Sequence, residues 1–405
     1  MSDLIAARLR ELLGELQVER DPDGIPRAVP TSAEGVALIC GAASEAGWKI
    51  RIEGQGTWLP MDAPADLTVS TRALDQVISV SPADLVATVQ AGATLEAVRR
   101  RLADDGMWLA LDPPGRPERS IGSVLATATS GPLRQAYGPV RDHVLGCTAV
   151  TGDGRVVRAG GRVVKNVAGF DLTKLQIGGF GGFGIITEAH LRLRALPRAD
   201  VTLTARAPRE TLTSAARDLV AVGAAPVAME LLSPALAAES DWLLAVRLAG
   251  GDAAVREEVR RLPAETDLQW QPLPSERSAA FWSLASRALL GGPVTIRLGV
   301  LLEGIDDAVD LLIHELGESI LSAGAGSGMI RWTGDVAPDR LRDLRRTLAT
   351  REIPLTVERA PWNIRHAVGH FGAYREGVGV VVERLRQTFD PELSLNVALE
   401  GGERG

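Results

Sequence analysis

Four glycine-rich crossings fall in the first half of this 405-residue chain, at Glu53-Gly54-Gln55-Gly56-Thr57-Trp58, Ile121-Gly122-Ser123, Ser130-Gly131 and Gly178 to Gly184. Glycine lets backbone amides approach a ligand with no Cβ in the way and opens left-handed turns to the chain. One such loop is an ordinary turn. Four of them in one half of a chain repeatedly bring bare main-chain donors against a large, flat, phosphate-bearing ligand, and a dinucleotide meets that description. A nicotinamide-type Rossmann unit is not the source of the pattern. Gly179-Phe180-Gly181-Gly182-Phe183-Gly184 satisfies G-x-G-x-x-G, but Ile185 to Arg194 then alternates apolar Ala189, Leu191 and Leu193 with polar His190, Arg192 and Arg194. That is the period of a strand, so no helix N-terminus follows to receive a pyrophosphate.

Composition narrows the class. With 45% hydrophobic residues the chain can bury a full core, and its length predicts two or three domains. A net charge of −7 and no basic run longer than Arg99-Arg100-Arg101 argue against nucleic acid or an anionic membrane as the main partner. Cys40 and Cys147 each sit in an apolar stretch, which predicts core thiols in a reducing, cytoplasmic compartment. The N-terminus reads as an amphipathic helix with Leu4, Ile5, Leu9, Leu12, Leu13 and Leu16 on one side, unlike a signal peptide. Arg287 and Arg297 interrupt the longest apolar candidate for a membrane span, so no direct insertion is expected, and any membrane attachment comes through a partner.

The order of elements changes near Pro197. Before it, Thr31-Ser32-Ala33-Glu34 predicts a capped helix through Ala46, Gly47 ends it, and Trp48 to Ile52 is the strand that enters the first glycine loop. Strands are predicted at Leu67 to Thr71, Val77 to Val80 and Leu85 to Val89, then a helix capped by Thr94 and stopped near Gly106. Asp112-Pro113-Pro114-Gly115 is a rigid irregular stretch, Ile121 to Thr129 a small-residue helix, and Val144 to Thr151 with Arg155 to Ala159 a hairpin. After Pro197 the chain alternates regularly. Strands at Val201 to Arg206, Val227 to Leu232, Trp242 to Leu248, Val294 to Leu301, Met329 to Trp332 and Ile353 to Glu358 are separated by helices at Arg209 to Val222, Ala253 to Leu262, Asp306 to Ser322 and Ala337 to Thr350, with a helical insertion at Ser275 to Leu289. This alternation predicts antiparallel sheet with helices on one face, arranged as two ferredoxin-like units side by side. A helix from Val380 to Thr388, ending in Phe389-Asp390-Pro391, leads into a C-terminal segment that returns to the first domain.

The segments Asp112-Pro113-Pro114, Ser120-Ile121-Gly122-Ser123, Ser130-Gly131-Pro132-Leu133-Arg134, Tyr137 to Asp142 and Lys165-Asn166-Val167-Ala168-Gly169-Phe170-Asp171-Leu172 carry a family resemblance. From Ile50 to about Pro197 the chain resembles the FAD-binding domain of the vanillyl-alcohol-oxidase (PCMH-type) flavoproteins, and within them the E-type FAD-binding subunits of bacterial glycolate oxidase. The resemblance implies an α+β fold: a PCMH-type FAD-binding domain of two α+β subdomains at 1–197, a ferredoxin-like antiparallel-sheet cap at 198–380, and a returning segment at 381–405. It departs from the family at Gly178 to Gly184 and after Asn396, where no Pro-Gly-Arg follows.

For FAD, Gly54, Gln55, Gly56, Thr57 and Trp58 supply the converging donors that a pyrophosphate needs, with Arg134 and Arg141 as counter-charges. By resemblance, Pro114, Gly115, Ser120, Ile121, Gly122, Ser123, Ala126, Thr127, Ser130 and Gly131 line the ribityl chain and isoalloxazine, and Gly184, Ile185 and Ile186 pass beside the adenine. No His or Cys lies in the first loop, so FAD is expected to be noncovalent. Oxidising a small 2-hydroxy acid needs a cation for the carboxylate and a base for the hydroxyl proton. Arg297, in an apolar strand, either grips that carboxylate or is an edge-strand arginine. His366 and His370 have the i,i+4 spacing of metal ligands but lack an obvious third partner, so they are either ligands or satisfied structural histidines; no resident metal is expected. The resemblance implies partner subunits, a second flavoprotein and an iron–sulfur subunit, that take the electrons. A stand-alone FAD oxidoreductase for another hydroxyl substrate and a catalytically silent structural subunit remain as alternatives.

Overall fold

The structure, a computed structural model, describes residues 1–162, 171–237, 240–372 and 377–395. The first lobe contains two sheets. Strands β1 (Val18–Arg20), β2 (Pro26–Ala28), β3 (Ile50–Glu53) and β4 (Leu67–Ser70) form a four-stranded sheet in the order β1-β2-β4-β3, with β2, β4 and β3 parallel to one another. Helix Ala33–Ala46 covers it. Ser32 accepts from the Gly35 amide to start that helix, and left-handed Gly47 stops it. Its buried face, Val36, Ile39, Cys40 and Ala43, packs with Ile5 and Leu9 of helix Ser2–Leu13. Leu395 pairs with Ile50 at the edge of this sheet, and the buried carboxylate of Asp390 accepts from the Ser394 and Leu395 amides to hold the turn that brings it there.

Strands β5 (Val77–Ser81), β6 (Val86–Gln90), β8 (Val144–Val150), β9 (Val156–Gly160) and β10 (Ile185–Arg192) form an antiparallel sheet in the order β5-β6-β10-β8-β9, while β7 (Met107–Trp108) pairs with β11 (Arg194–Ala195) beside it. Helices Leu95–Ala103 and Ile121–Thr127 bury Leu95, Val98, Leu102, Val124 and Leu125 against this sheet. Ser120 caps the second helix through the Ser123 amide, and Ala128 closes it in the left-handed region at φ 47°, two residues short of the predicted end.

The second lobe is built on one eight-stranded antiparallel sheet. Its strands are β12 (Ala199–Ala207), β13 (Ala228–Leu232), β14 (Trp242–Gly250), β15 (Gln271–Leu273), β16 (Val294–Gly299), β17 (Ile320–Gly324), β18 (Met329–Gly334) and β19 (Leu355–Arg359), in the order β15-β12-β14-β13-β17-β18-β16-β19. The first four and the last four each have ferredoxin-like order, and the two units join edge to edge through β13 and β17, where Glu230, Leu231 and Leu232 pair with Gly324, Ala323 and Ser322. The predicted helix from Asp306 to Ser322 is corrected here. It ends at Leu316 because Gly317 turns at φ 84°, and the apolar residues after it belong to β17. Apolar alternation cannot separate the last turn of a helix from the start of a strand when only a glycine intervenes.

Period-two alternation gives the cap sheet two unlike faces. Leu203, Met229, Leu231, Val246, Ile296, Ile330, Trp332 and Val357 point toward helices Arg209–Ala221, Ile305–Leu316 and Pro338–Ala349 and form the apolar core. Their neighbours Glu230, Arg247, Arg297, Arg331 and Glu358 point the other way, toward the first lobe. At the seam Glu358 is ion-paired with Arg331 at 2.8 Å and Arg297 at 3.2 Å. The two arginines continue into the first lobe, Arg331 donating to the Ser130 carbonyl at 2.7 Å and Arg297 to the Ala128 carbonyl at 3.4 Å. A second clamp has buried Arg365 donating to Asp62, with the Trp362 amide on the same carboxylate at 2.7 Å. Replacing Glu358 by Leu strands the buried Arg331 guanidinium and the half-buried Arg297. The cap should lose about 3–5 kcal/mol, read as a lowered urea midpoint by tryptophan fluorescence.

Candidate cofactor and substrate site

The glycine loops converge on two cavities. The smaller, about 80 Å3, is lined by Gly54, Gln55, Gly56, Thr57, Trp58, Gly122, Ser123, Ala126, Thr127, Gly184, Ile185 and Ile186, so twelve of the residues expected around FAD share one space. The close approach there requires glycine. A Cβ on Gly54 would lie 2.0 Å from Ser120 Oγ, and one on Gly122 would lie 2.9 Å from both Ala91 Cβ and Ala91 O. Gly56 sits at φ 65°, a backbone region that side-chain-bearing residues avoid. Glu53, also on the wall, is neutralised by Arg27 at 3.0 Å.

The larger cavity, about 300 Å3, opens between the lobes. Pro114, Gly115 and Gly131 contribute its first-lobe wall, and Arg247, Glu230, Ser322, Arg331 and Trp282 its cap wall. Gly131 is forced there too, since its Cβ would fall 1.9 Å from the Asp112 carbonyl. Two polar groups of the expected cofactor set, Trp58 Nε1 and Ser130 Oγ, are buried with no hydrogen-bond partner among the described residues. Unpaired buried donors of this kind are rare in a finished structure and fit a polar ligand lying along the seam.

Between the cavities stands a stack that sequence reasoning missed. The guanidinium of Arg119 lies 4.2 Å over the Trp58 ring. Arg119 is 0% exposed and donates to Pro114 O, Thr127 Oγ1 and Thr129 Oγ1 at 2.9, 2.7 and 3.0 Å. Burial among neutral acceptors pulls its pKa down to about 9, with Glu358 opposing. In the polar run Arg116-Pro117-Glu118-Arg119 nothing marks this residue as internal.

The remaining candidates separate. Arg141, expected as a counter-charge, faces solvent beside Asp142 at 3.7 Å. Arg134 is half-buried near Arg297 and Arg331, away from the Gly54 loop. Arg297 does not project freely toward a ligand: its partners are Glu358 and Ala128 O. His366 and His370 do not converge as metal ligands. His366 is exposed against Trp362, whereas His370 is buried, its Nδ1 2.6 Å from Val357 O and its ring 4.5 Å from that of Phe180. Burial lowers the His370 pKa to about 4, so it stays neutral. Among the described residues no group of three or more His, Cys, Asp or Glu gathers to hold a metal. Lys165 to Phe170 and Asn396, which carried part of the resemblance, lie outside the described residues.

The charged wall of the larger cavity was legible only as charged residues inside apolar strands. Arg247 pairs bidentately with Asp200, with Nη2 at 2.5 Å. Asp112 accepts from the Leu133 amide at 3.1 Å, and burial raises its pKa to about 6 against the pull of Arg247. Burial also raises Glu230 to about 8, opposed by the Ser322 hydroxyl and by Arg331 and reinforced by Asp112. Arg331 and Glu358 hold each other charged: burial works against both, and their mutual attraction outweighs it.

Comparison with known proteins bears on the same half of the chain. A family profile described as an FAD binding domain matches residues 27–160. Glycolate oxidase subunit GlcE of Escherichia coli K12 is 33% identical over 221 residues, 54% of this chain and 60% of that protein. Glycolate oxidase subunit GlcD of Bacillus subtilis is 29% identical over 233 residues, 56% of this chain and 49% of that one. A D-lactate dehydrogenase of Archaeoglobus fulgidus is 32% identical over 212 residues, 50% and 46% of the two chains. The matched regions thus span about half of these curated relatives. A solved structure of alkyldihydroxyacetonephosphate synthase superposes with a TM-score of 0.74 over 98% of this chain and 84% of its own, at 15% identity, which shows a shared fold.

Gly54→Ala should displace Ser120 from its capping position, costing about 1 kcal/mol of helix stability. It should also lower FAD affinity at least tenfold, measured by fluorescence titration of the apoprotein, whereas Gly24→Ala on an open turn should leave the titration unchanged. Residues 27–160 thus match an FAD binding domain, and FAD is the cofactor that the glycine-lined site in this region fits.

Proposed function

We propose that this chain is the FAD-containing subunit of a glycolate oxidase type of complex, which oxidises a small 2-hydroxy acid to the 2-oxo acid and passes the electrons to partner subunits. The observation that carries this reading is the pair of guanidiniums on the wall of the cavity between the lobes. Arg247 and Arg331 are each locked in place by a carboxylate through Nε and Nη2, and neither Nη1 has a protein acceptor among the described residues. Two immobilised guanidiniums lining one cavity suit a ligand carboxylate, which binds best to charge-assisted donors fixed beforehand.

FAD, when bound, supplies the acceptor for the hydride from C2 of the acid. The chain's own contribution is binding and orientation. The Gly54 to Thr57 amides and the Thr57 hydroxyl face the pyrophosphate, with no covalent attachment because that loop has neither His nor Cys. Leu109, Leu232 and Trp282 exclude water around the carboxylate. The relatives named as glycolate oxidase subunits support a multisubunit assembly; a second flavoprotein and an iron–sulfur subunit are the electron-accepting partners in this reading. Among the described residues no helix is long and apolar enough to cross a membrane, so association with one would run through those partners.

One observation favours a second reading, a structural subunit without turnover: the Trp58–Arg119 stack stands between the two cavities. Anaerobic addition of glycolate or D-lactate to the purified holoprotein decides between them. Bleaching of the flavin band supports oxidation here, and a flavin left unbleached in the isolated chain and in the reconstituted complex overturns it. Arg247→Met should retain FAD and weaken binding of the substrate analogue oxalate about ten- to a hundredfold, the loss expected for one hydrogen bond to a charged group.

A further inference from the structure

Glu230 is the one carboxyl group on the cap wall of the larger cavity that no cation neutralises. It lies on β13, at the joint between the two ferredoxin-like units, paired across the sheet with Ala245 and Gly324. Gly324 leaves it room: a Cβ there would come within 3.1 Å of Glu230 Oε1. Its only hydrogen bond among the described residues is from Ser322 Oγ to Oε2, at 2.5 Å. The other charged groups on this cavity are Arg99, Asp112 and Arg116 from the first lobe and Arg247 and Arg331 from the cap. Arg247 and Arg331 are occupied by Asp200 and Glu358, and Asp112 by the Leu133 amide. Glu230 is 6% exposed, lines the same cavity as Arg247 and Arg331, and among the described residues its Oε1 has no protein donor. A buried carboxyl group kept unpaired beside a carboxylate-binding pair is costly unless a ligand uses it.

Resting on the reading of the cavity as a 2-hydroxy-acid pocket, we propose that Glu230 accepts the C2 hydroxyl proton of the acid whose carboxylate Arg331 and Arg247 hold. The step balances. The O–H bond breaks and its proton passes to a Glu230 carboxylate oxygen. The C2–H bond breaks, its electron pair leaving as the hydride that oxidised FAD, when bound, would accept, and the C–O bond becomes C=O. The acid would thereby be oxidised to a 2-oxo acid with FAD as the two-electron oxidant, and Glu230 ends as a neutral carboxylic acid. Ser322 holds one oxygen so that the other faces the ligand.

Only the ionised carboxylate can take the proton. Its pKa is raised to about 8, so the competent form is scarce at pH 6 and fills as pH rises through 8. The rate of flavin reduction should therefore rise with pH and level off above about 8, the direction opposite to that of a group acting in its acid form. Glu230→Gln keeps the shape and removes the base. The test follows anaerobic reduction of FAD in the holoprotein by D-lactate and glycolate from pH 6 to pH 9.5, with oxalate titrations by calorimetry at pH 8 in buffers of different ionisation enthalpy.

Expected are a fall in reduction rate of about a hundred- to ten-thousandfold in Glu230→Gln, loss of the pH rise, and retained oxalate binding. Oxalate binding to the native protein at pH 8 should take up as much as about half a proton per site, since a bound anion pushes the half-ionised Glu230 toward its neutral form, and the variant should not show this uptake. A variant that reduces FAD at the native rate, or keeps the pH rise, overturns the role of Glu230. Failure of both acids to reduce the native flavin refutes the oxidation and the proton transfer together. Oxalate then tests the pocket alone: proton uptake abolished by Glu230→Gln retains Glu230 as the ligand-facing group, and absence of binding removes the pocket as well.

Discussion

The architecture rests on a charged sheet face buried against another lobe. Strand alternation in the cap leaves no choice about where Arg247, Arg297, Arg331, Glu230 and Glu358 go once Leu231, Val246, Ile296, Ile330 and Val357 have entered the apolar core. A face so polar would ordinarily meet water. Here it meets the carbonyls of Ala128 and Ser130, and Glu358 holds the cations that reach them. Burying ions this way contributes little net stability, because desolvation consumes most of the attraction. What the network contributes is geometry: guanidiniums that cannot rotate, placed at the edge of a cavity.

The first lobe supplies the complementary device. Its glycines are required where another chain segment lies against them, as at Gly54 beside Ser120 and Gly131 beside Asp112. Those contacts draw the loop after β3, the start of helix Ile121–Thr127 and the segment after β10's entry turn into one site. Tight packing of this kind holds main-chain amides in place without side chains between them and a phosphate.

Much of this was legible in the sequence because it depends on local chemistry. Ser32 and Thr94 announced helix starts that the structure shows as caps, and the two ferredoxin-like units followed from the order of strands and helices. The FAD binding domain that matches residues 27–160 was legible from the glycine and proline segments. Harder to read were features that depend on distant partners. Nothing near Arg119 in the sequence reveals the Trp58 ring beneath it. Arg297 was noticed as an arginine in an apolar strand, yet its neighbour across the sheet, Arg331, and their shared Glu358 were not, because ion pairing between strands is set by register. The short strands β1, β2 and β15 were missed for want of length, each having only three residues.

The joint between β13 and β17 has a mechanical implication. Three ladder pairs join the two halves of the cap there, Glu230 among them, flanked by the Ala325 amide on the Met229 carbonyl and the Ser233 amide on the Leu321 carbonyl. Arg247 belongs to one half and Arg331 to the other, and the helices above the two halves are tied together by Arg209 and Arg217 on Asp306. The gap between the two guanidiniums is therefore fixed jointly by that strand joint and by the ion pairs between the helices above it, so the bracing of the outer helices governs grip on a ligand from a distance.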